Sequence, residues 1–178
     1  MKKSLSLLLV GAVLSACTVA DIETPPIPIT PNDPSASVGI DVYGRARSRG
    51  NPVPRFRGQN TVAVRTNGKQ GDGGFGELVG TPCSLDSGIY KARFQTPANI
   101  VVPDYGPNSP ALFVRCVHPD QRAASATVNA FNLTAQQRGA GAAGGGILGA
   151  IIVGAVNAAV TDPNKDEFAY PPITLQLK

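Results

Sequence analysis

Short stretches in which apolar and polar residues alternate are the feature that most limits how this chain can fold. In residues 88–95 every second position from Tyr90 is apolar, and residues 111–117 repeat the pattern from Leu112. This period of two places one face of a β-strand against a core and leaves the other face in solvent. The same argument predicts further strands at residues 38–43, 61–65, 77–79, 100–102, 125–133 and 173–177.

Turn-forming residues separate these stretches. Asn67-Gly68 predicts a tight hairpin turn, Thr96-Pro97 interrupts the pattern, and Pro and Gly are dense at residues 105–110. Short strands with frequent turns are typical of a β-sandwich. We therefore expect an all-β fold, a small antiparallel β-sandwich over residues 37–178. It should carry a Gly-rich apolar insertion, with room for one short helix, before the last strand.

That insertion, residues 139–161, contains no charged side chain. Three arrangements fit it: a membrane-inserted or oligomerising helix, a Gly-rich loop with a short helix on the core, or a loop that inserts on meeting a partner. Each glycine costs a helix roughly 1 kcal/mol, which weighs against the first arrangement. The insertion also matches the dinucleotide-binding pattern G-x-G-x-x-G. No βαβ unit surrounds this match, so we expect no cofactor. The candidate membrane or helix-packing residues are Gly141, Gly145, Gly149, Ile151 and Ile152.

The amino-terminal segment has the build of a secretory signal. Two lysines precede an apolar run at residues 4–13, which is shorter than the roughly 20 residues that a membrane-spanning helix needs. The run ends in Leu14-Ser15-Ala16-Cys17, which resembles the lipobox of bacterial lipoproteins. The resemblance implies a signal peptide at residues 1–16 and a lipid on Cys17. Because an Asp after the cysteine tends to retain such proteins in the inner membrane, Thr18 implies an outer-membrane protein that faces the periplasm.

Residues 17–36 are rich in proline and follow the lipidated cysteine. Proline favours the extended polyproline II conformation, at about 3.1 Å per residue. We expect this segment to be a tether that holds the domain roughly 50 Å from the lipid surface.

The remaining cysteines predict a disulfide bond. Lipidation removes Cys17 from the count, and Cys83 and Cys116 would then lie in an oxidising compartment. A disulfide bond that closes the loop from Cys83 to Cys116 stabilises the fold by roughly 4 kcal/mol, because it lowers the conformational entropy of the unfolded chain. With His118 the two cysteines make a poor ligand set, so we expect no metal site.

Charge gives one candidate binding surface. Removal of Lys2 and Lys3 with the signal leaves 14 basic against 12 acidic side chains, so a nucleic-acid partner is not expected. Five arginines nevertheless fall in one Gly/Pro-rich loop. Guanidinium groups bind phosphate and carboxylate in a bidentate manner, so the loop predicts contact with anionic lipid, lipopolysaccharide or peptidoglycan, against the alternative of a solvated loop. The arginines are Arg45, Arg47, Arg49, Arg55 and Arg57.

The chain offers little for catalysis. Its one histidine, His118, precedes Pro119 in a predicted turn, and its glutamates lie in no catalytic motif. We therefore expect no enzymatic activity, and the competing hypothesis is a ligand-binding or hydrolytic envelope protein.

Several motifs between residues 83 and 177 resemble a group of Gram-negative lipoproteins that carry a small β-sandwich similar to PEGA-type surface domains. They are Cys83-Ser84-Leu85, residues 96–103, residues 112–116, Gly145-Gly146-Ile147-Leu148-Gly149 and Tyr170-Pro171. That group has an acidic residue and a Thr-Gly turn where Asn157 and Thr161-Asp162-Pro163 stand here. The apolar segment is also similar to glycine-zipper lipoproteins of the outer membrane. The resemblance implies a structural or interaction module of the envelope, anchored to the membrane by its lipid, with other envelope proteins as partners.

Replacement of Cys17 by Ala should abolish both acyl labelling and sedimentation with membranes, because the thiol is the site of lipid attachment. Metabolic labelling with an acyl-chain analogue, followed by ultracentrifugation, measures both. A Cys17→Ala protein that is still labelled and still sediments would contradict the lipobox interpretation.

Overall fold

The computed structural model describes residues 20–143 and 161–178, and they form a β-sandwich. The all-β expectation is confirmed. The strands in chain order are β1 (Ile27–Pro28), β2 (Thr30–Pro31), β3 (Gly58–Lys69), β4 (Phe75–Glu77), β5 (Pro82–Asp86), β6 (Tyr90–Gln95), β7 (Ala98–Asp104), β8 (Leu112–Val117), β9 (Ala123–Val128), β10 (Phe131–Asn132), β11 (Phe168–Ala169) and β12 (Ile173–Leu177). Two α-helices, α1 (Gly44–Ser48) and α2 (Leu133–Ala143), lie outside the sheets.

The first sheet has the order β1-β7-β3-β12, and β4 also pairs with β3. The long strand β3 is its centre, since its first half pairs with β7 and its second half pairs with both β12 and β4. β12 and β1 run parallel to their neighbours. The sandwich is therefore mainly antiparallel, with two parallel pairings that the alternation pattern does not reveal.

The second sheet has the order β2-β6-β5-β8-β9, and all of its pairings are antiparallel. A separate pair, β10 and β11, lies beside α2. In β6 and β8 buried and exposed side chains alternate as expected from the sequence.

The two sheets enclose one apolar core. The inward side chains of both sheets are almost completely buried, and burial of each is worth about 1.5–3 kcal/mol relative to exposure. The largest are Tyr90, Tyr105, Leu85, Ile100 and Leu112.

A cluster of threonine hydroxyls fixes the crossing from the first sheet to the second. The carbonyl oxygen of Leu78 accepts hydrogen bonds from Thr66 at 2.7 Å and from Thr96 at 3.2 Å. Thr81 donates to the same oxygen at 3.3 Å. All three hydroxyls are buried, so these bonds satisfy polar groups that would otherwise destabilise the core.

The predicted strand at residues 38–43 is wrong. Val38 and Asp41 form only an isolated bridge, and Val38 is 60% exposed. Gly39 adopts a positive φ of 58°, which turns the chain, and the buried carboxylate of Asp41 holds that turn through the backbone N–H of Tyr43. The segment is a turn that leads into α1.

The predicted hairpin turn at Asn67-Gly68 is also wrong. Both residues belong to β3, and Gly68 pairs with Gly76 on one side and with Leu177 on the other. The chain turns later, where the backbone N–H of Gln70 donates to the carbonyl of Gly74 at 2.7 Å. Pairing with two neighbouring strands outweighs the local turn preference of the dipeptide.

The structure differs from the expected tether as well. Residues 27–31 supply β1 to the first sheet and β2 to the second, and Ile29 between them is only 7% exposed. The side-chain amide of Asn32 adds a hydrogen bond to the carbonyl of Gly88 at 3.0 Å. The domain therefore begins near residue 27 instead of residue 37. Prolines are compatible with this arrangement because β1 and β2 are edge strands.

Substitution of Ile29 by Ala should lower the free energy of unfolding by about 2–4 kcal/mol, because it opens a cavity between the sheets. Val38→Ala, which shortens an exposed side chain, is the matched control and should change stability by less than about 0.5 kcal/mol. Urea denaturation followed by circular dichroism measures both. Equal effects of the two substitutions would mean that residues 27–31 are a spacer after all.

Candidate functional site

The loop that carries the five arginines is fixed on the sandwich by a buried carboxylate. Asp41 lies between the Nε of Arg47, at 3.1 Å, and the hydroxyl of Tyr105, which donates to it at 3.0 Å. The Tyr105 oxygen also accepts the backbone N–H of Val42 at 2.9 Å. Burial raises the pKa of Tyr105, so its hydroxyl stays protonated and can donate. Arg47 also donates to the carbonyl of Pro54 at 2.7 Å, which makes it an internal brace of the loop.

Arg57 is a second internal brace. Its guanidinium donates to the carbonyl oxygens of Asp166, at 3.0 Å, and of Pro163. It also lies over the ring of Phe168, 5.8 Å from the ring centroid. A Cβ atom at Gly106 would lie 2.6 Å from the Cζ of Arg57, so a glycine is needed for this close approach. Arg57 thus ties the start of β3 to residues 163–168.

The other three arginines, Arg45, Arg49 and Arg55, are exposed. Within residues 20–143 and 161–178 their side chains make no hydrogen bond or ion pair. The expected patch of five guanidiniums is therefore reduced to three, since Arg47 and Arg57 are occupied inside the fold. Sequence spacing could not identify the internal role of Arg57, because its partners are more than 100 residues away, whereas the partners of Arg47 are within seven residues.

A second buried carboxylate, Asp166, organises the surroundings of α2. It accepts hydrogen bonds from the side-chain amide of Asn132 at 2.8 Å and from the backbone N–H of Asp162 at 2.9 Å, and it pairs with Arg138 at 3.1 Å. These donors, the Asn132 amide first, lower the pKa of Asp166. The Oδ1 of Asn132 also accepts the backbone N–H of Ala135 at 2.8 Å and so caps the start of α2.

Helix α2 begins at Leu133, six residues before the Gly-rich insertion, and its described part ends at Ala143. Residues 144–160 of the insertion lie outside the described residues, so the short helix expected there stays a prediction. Gly141 lies in α2. The other candidate packing residues, Gly145, Gly149, Ile151 and Ile152, lie outside the described residues, so their proposed role remains a prediction. No helix in the described residues is long and apolar enough to cross a membrane.

A polar cleft of about 600 Å³, which sequence reasoning missed, lies where the β3–β4 hairpin meets the β8–β9 hairpin. The cleft forms where two hairpins from different sheets approach each other, so no local sequence pattern could have revealed it. Its walls come from the ends of β3 and β4, the residues that follow β4, and the turn between β8 and β9. The lining residues are Lys69, Gln70, Gly71, Glu77, Leu78, Val79, His118, Asp120 and Arg122.

The turn between β8 and β9 places three ionisable groups in this cleft. The Nδ1 of His118 is 2.9 Å from Asp120 Oδ1, and Arg122 pairs with Asp120 Oδ2 at 2.6 Å. The Arg122 guanidinium, with His118 as a further donor, lowers the pKa of Asp120 well below its usual range. A Cβ atom at Gly68 would lie 2.9 Å from Arg122 Nη1, so the glycine lets the guanidinium lie against β3.

The acidic side chains of the cleft are already paired. Glu77 is paired with Arg65 at 2.7 Å, and Asp120 is paired with Arg122, so both acids are neutralised. The ammonium of Lys69 has no ion-pair partner in the described part of the chain. None of the described residues that line the cleft near His118 is a Ser, Thr or Cys that could act as a nucleophile. Among the described residues no group of three or more His, Cys, Asp or Glu side chains could hold a metal ion.

The predicted disulfide bond between Cys83 and Cys116 is confirmed. The two residues lie directly opposite each other on β5 and β8, with their Cα atoms 4.1 Å apart. Both cysteines are buried in the core.

The amino-terminal end of the described chain lies against the first sheet. Arg65 on β3 donates a hydrogen bond to the carbonyl oxygen of Ala20. Cys17 itself lies outside the described residues, three positions before Ala20.

Comparison of the chain with protein-family models, with curated proteins and with solved structures gives no match.

Substitution of Arg47 by Gln should lower the free energy of unfolding by about 1–3 kcal/mol, because it leaves the carboxylate of Asp41 without its charged partner. The combined variant Arg45→Gln, Arg49→Gln and Arg55→Gln should change stability by less than about 0.5 kcal/mol per position. Urea denaturation of both proteins checks the difference. A triple variant that is destabilised as much as Arg47→Gln would contradict the division of the arginines into two groups.

Proposed function

We propose that this protein is a lipid-anchored module of the bacterial cell envelope that acts by contacting other envelope components. The observation that carries the proposal is Leu14-Ser15-Ala16-Cys17 at the end of an apolar segment. The disulfide bond of the sandwich supports it, because such bonds persist in oxidising compartments outside the cytosol. On this proposal the domain faces the periplasm from the outer membrane and has no catalytic role.

The short amino-terminal arm supports a position close to the membrane. A tether of polyproline type would have held the domain far from the lipid, but residues 27–31 are part of both sheets. On this proposal the sandwich is a PEGA-like domain that works at the lipid surface as a scaffold or contact domain.

The exposed arginines are the proposed contact surface for anionic envelope components. Arg45 lies on α1, and Arg49 and Arg55 lie in the connection that follows it. Asp41 and Arg47 hold this segment against the sandwich, so the three charges are presented from a fixed backbone. Lipopolysaccharide phosphates and peptidoglycan carboxylates match the fork of the guanidinium group. Their attraction to exposed charges should weaken as salt is added.

The polar cleft supports a second candidate function, the binding of a small anionic ligand. Its two acids are already paired with arginines, whereas the ammonium of Lys69 has no ion-pair partner among the described residues, so Lys69 is the group available to an anion. Its volume of about 600 Å³ lies in the range of small-molecule sites.

Binding to purified peptidoglycan sacculi and to lipopolysaccharide micelles distinguishes the two surfaces. We expect the variant Arg45→Gln, Arg49→Gln and Arg55→Gln to bind either material more weakly than the wild type, and this difference to shrink as salt is added. A control variant, Lys69→Gln with His118→Gln, should bind as the wild type does. Loss of binding in the control alone would favour the cleft. Wild-type binding by both variants would remove the arginine surface from the proposal.

A further inference from the structure

Phe75 and Val79 are the two most exposed large apolar side chains of the described chain, at 67% and 73%. Of the residues between them, Gly76 is partly buried and Leu78 is buried, with 7% of its surface exposed. Phe75 and Glu77 lie opposite Lys69 and Asn67 on the outer face of the first sheet, and Val79 is exposed two residues after β4 ends. We call this outer face of the β3–β4 hairpin the hairpin face.

The hairpin face lies beside the point where the amino-terminal arm meets the sheet. Arg65 on β3 contacts both the carbonyl of Ala20 and the carboxylate of Glu77, the latter at 2.7 Å. Phe75 is directly opposite Lys69, four residues along β3 from Arg65, which is about 13 Å. The apolar side chains and the end of the arm are therefore on the same side of the sandwich.

The length of the arm limits how far this face can be from a lipid on Cys17. Ala20 is three positions after Cys17, and a fully extended chain of that length spans about 10 Å. Acyl chains on Cys17 are buried in the bilayer, so Ala20 and the sheet beneath it must lie near the bilayer surface.

We propose that the hairpin face docks on the membrane that holds the Cys17 lipid, with Phe75 and Val79 inserted among the lipid headgroups and upper acyl chains. This inference rests on the proposed lipid anchor. The ammonium of Lys69 reaches the headgroup layer from the same face, while its aliphatic part covers apolar surface.

Because the charges of Arg65 and Glu77 around the hairpin face are paired with each other, its contact with the membrane should be mainly apolar. Arg65 is neutralised by Glu77, which leaves Lys69 as the unpaired cation opposite Phe75 in the described part of the chain. Docking should therefore persist in high salt, in contrast to the binding proposed for the exposed arginines.

The chain contains no tryptophan, so a single Phe75→Trp substitution provides a specific fluorescent reporter. The experiment uses the acylated full chain in vesicles of phosphatidylethanolamine and phosphatidylglycerol, with and without brominated acyl chains. We expect a blue-shifted emission that brominated lipid quenches, both at low salt and at high salt. The matched control is Phe113→Trp, on the outer face of the second sheet at 45% exposure, and its emission should stay red-shifted and unquenched.

Mass measurement of Cys17 in the same sample separates the two hypotheses. If Cys17 is acylated and the emission of the Phe75→Trp protein is unquenched, or if both reporters are quenched equally, the docking inference is wrong and the anchor stands. If Cys17 is not acylated, the proposed anchor fails and the inference fails with it. A blue shift that grows with protein concentration in Cys17→Ala protein without vesicles would mean that a second copy covers the hairpin face, which also overturns the inference.

Discussion

The disulfide bond between Cys83 and Cys116 is the constraint on which the sandwich depends most directly. It joins β5, the central strand of the second sheet, to β8, and the chain between the two cysteines includes β6 and β7, one strand of each sheet. Closing that loop stabilises the fold by roughly 4 kcal/mol through the entropy of the unfolded chain. For a domain of this size that is a large part of a typical net stability.

Around this core, two buried carboxylates convert long connections into fixed surfaces. Asp41 holds the arginine loop, and Asp166 gathers Asn132, Arg138 and the segment before β11. Because Arg47 and Arg57 are used for these internal contacts, the charges left for a partner are few and defined in position. Arg65 holds the amino-terminal end of the described chain, at Ala20, against the first sheet in the same way.

The sequence pattern predicts most of the strands but not the order in which they pair. Alternation located β6, β8 and β12 because each of these strands buries one face, and cysteine counting identified the disulfide bond. The turn at residues 38–43, the continuation of β3 through Gly68 and the pairing of residues 27–31 depend on distant strands, which no local pattern contains. The polar cleft and the internal role of Arg57 escaped prediction for the same reason, since Pro163 and Asp166 are partners that only the fold brings to Arg57.

The most direct test of this account is the mass of the protein extracted from membranes, with thiols alkylated before and after reduction. The account predicts a chain that begins at an acylated Cys17, with no alkylation before reduction and alkylation of Cys83 and Cys116 after it. A chain that still carries residues 1–16, with an unmodified Cys17 and with Cys83 and Cys116 alkylated before reduction, would contradict both the anchor and the compartment.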